Sequence, residues 1–136
     1  MPDDRTTWEI ELLAQGDVTR ARHAASRAMD AIEASQVRKT RFVTAVSEIA
    51  RNAIVHGGGG RAVFRLGHCD GEACVQAVVT DAGPGIPDIG LALQNGYTAA
   101  KGLGLGLGGA KRLVDGFAIR SVAGQGVTVQ LSSRAR

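Results

Sequence analysis

Aromatic side chains are scarce: three Phe, one Tyr and one Trp make up 4% of the 136 residues. A core must therefore be aliphatic, and the 44% of apolar residues are enough to build one. No apolar run approaches the roughly 20 residues of a membrane span. The polar start Met1-Pro2-Asp3-Asp4-Arg5 leads into no apolar signal-peptide core. The expectation is a cytoplasmic protein with no membrane partner. Charge of one sign is also missing as a block. Sixteen basic residues stand against 13 acidic ones, a net of +3. A nucleic-acid binder would show a basic stripe interleaved with stacking aromatics. Here the basic residues are scattered, so no nucleic-acid partner is expected. The tail Ser132-Ser133-Arg134-Ala135-Arg136 reads as a frayed end. Only two cysteines occur, Cys69 and Cys74, flanking Asp70-Gly71. Across a hairpin they would be placed to pair, but in a reducing compartment the expectation is free thiols. With His68 they make three metal ligands around one turn and no fourth, a poor metal site.

Glycine is abundant instead, with 19 residues gathered at 57–60, 83–85, 102–109 and 124–126. Such clusters mark close backbone approach or positive φ. The length suits one domain over 1–136, with 1–7 and 133–136 flexible. Residues 8–12 alternate apolar and charged, as a half-buried strand does. Val18, Ala21, Ala25, Met29 and Ile32 recur at helical spacing over 18–34, with Asp17 as N-cap. Phe42, Val46, Ile49 and Ala53 do the same over 39–55, and the glycines from Gly57 stop that helix. Residues 61–68 and 73–80 read as strands of a hairpin. A long irregular stretch over 81–101 carries a short helix near 89–93. A third helix is expected over 105–114, then strands over 117–122 and 127–132. This order predicts an α/β (α+β) two-layer sandwich, a mixed sheet covered on one face by about three helices.

Three segments carry chemistry. Glu48 and Asn52, four apart on a helix, share a face distinct from the apolar stripe. An amide oxygen is a hard ligand for Mg²⁺, and a carboxylate beside it orients or deprotonates a hydroxyl. Alone, such a pair is usually a solvated helix face. Asp81-Ala82-Gly83-Pro84-Gly85-Ile86 follows a strand, where an aspartate is placed to accept from an adenine amino group. Alone, it is equally a plain turn. Lys101-Gly102-Leu103-Gly104-Leu105-Gly106-Leu107-Gly108-Gly109 exposes backbone N–H groups just ahead of a helix, an anion-binding arrangement. It lacks the βαβ context of a dinucleotide fingerprint and the Gly-Lys-Ser/Thr of a P-loop. Close packing explains one such glycine better than five.

In this order and at these spacings the sequence resembles the GHKL ATPase superfamily, which includes gyrase, MutL and histidine-kinase ATP domains. Residues 47–53 resemble its N box, 81–85 its G1 box and 102–107 its G2 box. Within it, the likeness is to the small anti-sigma-factor-type serine kinases, through 47–52, 81–89, 91–97 and 104–113. The resemblance implies the Bergerat-type ATP-binding fold. It implies Asn52 as Mg²⁺ ligand and Glu48 as general base or orienter of the acceptor serine. Asp81 would hold the adenine amino group, with Gly83, Gly85 and Ile86 lining its pocket. Gly102, Leu103, Gly104, Leu105, Gly106 and Leu107 would wrap the phosphates. Many relatives place a threonine directly after the glycine before the last strand. Here Val127 stands there, and Thr128 is the nearest candidate for that adenine-site contact. The reaction implied moves the γ-phosphoryl of ATP to a serine or threonine of a STAS-domain antagonist, in a partner switch that also activates a PP2C-type phosphatase. A sensor histidine kinase fits worse, because Arg22-His23-Ala24 lacks the neighbouring acid or asparagine. An ATP-dependent binding module and an autonomous ATPase remain as alternatives.

Overall fold

The computed structural model describes residues 7–85 and 107–136. In chain order it places β1 (Thr7–Leu12), α1 (Gly16–Ala31), α2 (Gln36–Val55), β2 (Gly60–Cys69), β3 (Glu72–Asp81), α3 (Leu107–Arg112), β4 (Gly116–Val122) and β5 (Gly126–Arg134). The expected helix over 89–93 lies outside the described residues.

Both long helices bury the stripes that their spacing predicts. Val18, Ala21, Ala25 and Met29 are buried on α1, and Phe42, Val46, Ile49 and Ala53 on α2. The α1 stripe is largely alanine, and small side chains let two helices approach closely. Asp17 is not the N-cap of α1. Gln15 holds that position without a side-chain cap. The Asp17 carboxylate instead accepts from the N–H groups of Leu13 and Ala14, at 2.9 and 3.0 Å, so it fastens the chain leaving β1. Those two bonds hold its carboxyl below the ordinary value. The second helix starts earlier than its apolar stripe suggests, because Ser35 caps it by accepting from the Arg38 N–H at 3.2 Å.

Five strands form one sheet in the order β1-β2-β3-β5-β4. Its pairings are all antiparallel among the described residues, where a mixed sheet was expected. The reason lies in the connections. A parallel neighbour needs a crossover, commonly one helix. Here two helices joined by residues 32–35 return the chain to the end of the sheet that it left. The other described links are tight: Asp70 and Gly71 both have positive φ, 52° and 83°, as a two-residue type I′ turn requires.

Strand alternation divides the sheet into a dry and a wet face. Trp8, Phe64, Ala77, Leu131 and Phe117 lie in one register row of the dry face, and Ile10, Ala62, Val79, Val129 and Ile119 in the next. They meet the buried residues of both long helices in a single core, with Leu12, Phe42, Met29 and Phe64 fully enclosed. The wet face carries Glu11, Arg61, Thr80, Thr128 and Arg120 in one row. Among the described residues the helices cover one face only, as expected for a two-layer sandwich.

Two expectations are corrected here. Cys69 and Cys74 are bonded to each other, with Cα atoms 5.8 Å apart. They pair with Glu72 and Gly67, so the tight turn sets them as diagonal neighbours on one face of the hairpin. Nor are residues 133–136 loose. Ser133 lies in β5 and is 1% exposed. The N–H of Ala135 donates to the Ala73 carbonyl at 3.2 Å, and its carbonyl accepts from the Ser35 N–H at 2.9 Å. Polar side chains conceal a strand that runs to Arg134.

Candidate functional site

The next row of the dry face runs Leu12, Gly60, Asp81, Val127, Ser121. A carboxylate thus stands where the core's pattern calls for an apolar side chain, at the end of the sheet beside the C-terminus of α2. It is half-buried, and its oxygen accepts from the Gly83 N–H at 2.9 Å. Burial raises the Asp81 carboxyl above its ordinary value, against the opposing pull of the Gly83 and Val127 N–H groups. A partly desolvated carboxylate at the floor of an opening is well suited to hold a ligand's hydrogen-bond donor.

Glycines make room for it. A Cβ on Gly57 would collide with the Asp81 side chain, and one on Gly83 would lie 2.6 Å from the Gly57 Cα. Gly85, at φ 85°, brings the backbone against the Val122 carbonyl. Gly57 reaches this place because α2 ends on it: the Asn52 carbonyl accepts from the N–H groups of both His56 and Gly57, at 2.9 and 3.2 Å.

A cleft opens above Asp81. Asn52, Ala53, His56 and Gly57 wall it from α2 and its C-terminal cap, Gly85 from the segment after β3, and Leu107 from the start of α3. Val79, Val127 and Val129 form the apolar floor around the carboxylate. A mostly apolar cleft with a carboxylate at its base suits a heterocycle bearing an amino group.

A profile of known families agrees with the geometry: residues 12–133 match the histidine kinase-like ATPase domain. This chain belongs to that family. Among curated proteins it is 34% identical over 121 residues to the serine/threonine-protein kinase RsbT of Bacillus subtilis (strain 168), covering 89% of this chain and 91% of that one. It is 32% identical over 98 residues to the anti-sigma F factor of Clostridium botulinum (strain Eklund 17B / Type B), covering 67% of each.

Against the expectations for this ATPase domain, the structure brings Asn52, Asp81, Gly85 and Leu107 to one cleft. Gly83 supports the carboxylate from beneath. Glu48 stands one turn before Asn52, half-exposed and outside the described lining, 3.8 Å from the Arg51 guanidinium. Ile86, Gly102, Leu103, Gly104, Leu105 and Gly106 lie outside the described residues. Thr128 is corrected. It pairs with Thr80 on the wet face, and Val127 and Val129 are the β5 residues that face the cleft. A strand cannot turn adjacent residues to the same side. His56 and Gly57 were missed as site residues. The glycine run signals a helix stop and a close backbone approach, but nothing in the local sequence says that what approaches Gly57 is the Asp81 carboxylate.

Proposed function

We propose that this histidine kinase-like ATPase domain is a serine/threonine kinase that moves the γ-phosphoryl of ATP to a STAS-domain antagonist protein. The observation that carries the reading is the convergence of Asn52 and Asp81 on one cleft, in a chain 34% identical to a named serine/threonine kinase over nearly its whole length. In this reading Asp81 accepts from the adenine amino group, and Gly83, Gly85 and Ile86 frame the ring. Gly102 to Leu107 close over the phosphates.

The residues present suit Mg²⁺. Among the described residues no group of three or more His, Cys, Asp or Glu gathers to cage a metal. Mg²⁺ needs no such cage beside a nucleotide, since phosphate oxygens and retained waters supply most of its ligands. Asn52 would add one amide oxygen, and the ion so held would supply charge neutralisation on the phosphates. Glu48 orients the acceptor hydroxyl and takes its proton. The hydroxyl oxygen bonds to the γ-phosphorus as the bond from that phosphorus to the β,γ-bridging oxygen breaks, and ADP leaves with the electron pair. Activation of a PP2C-type phosphatase by the protein once released would complete the partner switch.

A second reading has support from the anti-sigma F factor relative: an ATP-dependent binding module with little catalysis. Transfer of labelled γ-phosphate from Mg-ATP to a STAS-domain protein encoded nearby decides between them, with Glu48→Ala as control. Label on the STAS protein that falls at least a hundredfold in the variant is the expected outcome. Tight ATP binding with no label in either protein establishes the binding module instead.

A further inference from the structure

We propose that the cleft reads the base of its nucleotide through Asp81 alone and leaves the neighbouring ring nitrogen unread, with Val127 as the residue that sets this selectivity; this rests on the ATP-site reading above. The edge of adenine that meets a carboxylate has two features. Its amino group donates, and ring nitrogen N1 beside it accepts. An ionised carboxylate only accepts, so Asp81 can hold the amino group but offers nothing to N1. A donor for N1 must therefore stand next to Asp81, and the strand register fixes what stands there. Asp81 lies opposite Gly60 on β2 and Val127 on β5. Directly opposed residues keep their Cβ atoms within about 5.5 Å, so these are its nearest neighbours on the sheet. Position 60 can hold nothing larger, because a Cβ there would collide with the Thr80 carbonyl oxygen. That leaves residue 127 as the place from which a side chain of the sheet can reach N1, and it is valine.

The rest of the described floor agrees. Val79 and Val129 are apolar, and the first hydroxyl in the row, Ser121, is one strand further out on β4. The Gly83 N–H is given to Asp81 itself. Asn52 and His56 are the other polar side chains of the described lining, and both come from α2 and its cap rather than from the floor. Selection then works by acceptance and by repulsion. A base with an amino group at this edge is held, whatever atom stands beside that group. A base with a carbonyl there, as in guanine or hypoxanthine, sets acceptor against acceptor and is rejected. The ligand class is a nucleoside triphosphate of an amino-bearing base, with N1 free to vary.

The test is the affinity of the full chain for three nucleotides with Mg²⁺, measured by titration calorimetry. They are ATP, 1-deaza-ATP (N1 replaced by C–H) and purine riboside triphosphate (the amino group replaced by hydrogen). Wild-type chain should bind 1-deaza-ATP within about twofold of ATP. It should bind purine riboside triphosphate at least about tenfold more weakly, because the carboxylate is left unpaired. Val127→Thr sets a hydroxyl beside Asp81 and should acquire a preference of about tenfold for ATP over 1-deaza-ATP. Thr128→Val, on the wet face, should keep the wild-type pattern. A tenfold loss for 1-deaza-ATP in wild type overturns the proposal, since another group such as His56 then reads N1. A Val127→Thr chain that still ignores N1 overturns the role of Val127. Equal binding of all three nucleotides by wild type overturns the reading through Asp81. A chain that binds none of them overturns the proposal together with the ATP site beneath it. The expected pattern with no phosphate transfer to an acceptor supports the proposal and removes only the kinase reading.

Discussion

Asp81 sits in its row of the sheet between Gly60 and Val127, and the ionised carboxyl is disfavoured there. Its raised value has a definite sign in stability. Above the unfolded carboxyl's range the folded state holds an ionised group that burial opposes, so the charge destabilises at neutral pH and relief comes as pH falls. Asp81→Asn keeps the shape and removes the charge. The variant should melt at the wild-type temperature or a few degrees above it, yet bind ATP at least tenfold more weakly, because the carboxamide replaces one acceptor oxygen with a donor. Calorimetry on both proteins checks this pair of outcomes. A lower melting temperature with normal ATP affinity would mean that Asp81 serves the fold and not the ligand. From the sequence alone this strand-end aspartate before Gly-x-Gly reads equally as a plain turn, and only its company with the other two segments singles it out. The error at Thr128 was avoidable from the sequence. Val127, Val129 and Leu131 alternate, and that alternation already assigns Thr128 to the other face.

Elements were read well where periodicity is long. Two helices with apolar stripes of four or five residues leave little ambiguity, and their cores are as expected. Their ends were not, because caps depend on single side chains: Ser35 extends α2, and Asp17 serves the segment before α1 rather than its N-terminus. Sheet direction was not legible, since it follows from where two helices deposit the chain. The last strand was shortened because its final residues are polar, although its hydrogen bonds to β3 run to Arg134. The join between α2 and β2 makes a close steric demand at Gly57. Gly57→Ala would drive a methyl group into the Asp81 carboxylate and should lower stability by about 1–3 kcal/mol while also losing ATP. Gly16→Ala, with nothing within 4 Å of the added carbon at the start of α1, should be neutral or slightly stabilising. Urea denaturation distinguishes the two. Equal stability for both would show that the glycine at 57 is only a helix stop.

Across the whole molecule, one carboxylate ties together parts distant in sequence. Asp115, between α3 and β4, accepts from the Arg38 guanidinium at 2.6 Å and from the Arg134 N–H at 2.8 Å. Burial pulls its carboxyl upward, but the N–H of Arg134 and the Arg38 charge outweigh that and hold it below the ordinary value of 3.8. The stability from such a depressed group is full above the unfolded carboxyl's range and is lost as pH falls through the folded value. Asp115→Asn should therefore cost about 1–2 kcal/mol near pH 7, after allowance for partial exposure. The deficit should shrink as pH falls below the ordinary carboxyl range, as urea titrations at neutral and progressively more acid pH would reveal. A deficit independent of pH would mean that the contact works through shape alone. The β3–β5 pairing also has a kinetic consequence. It brings Asp81 against Val127, joining strands separated by all of residues 82–125, whereas β2–β3 and β4–β5 are local hairpins. Closing so large a loop is entropically slow, so this seam should form after the hairpins do. The pocket straddles that seam. A nascent chain has no place for a nucleotide until β5 has been synthesised, so ATP cannot guide the early steps of folding and serves only to trap the finished product.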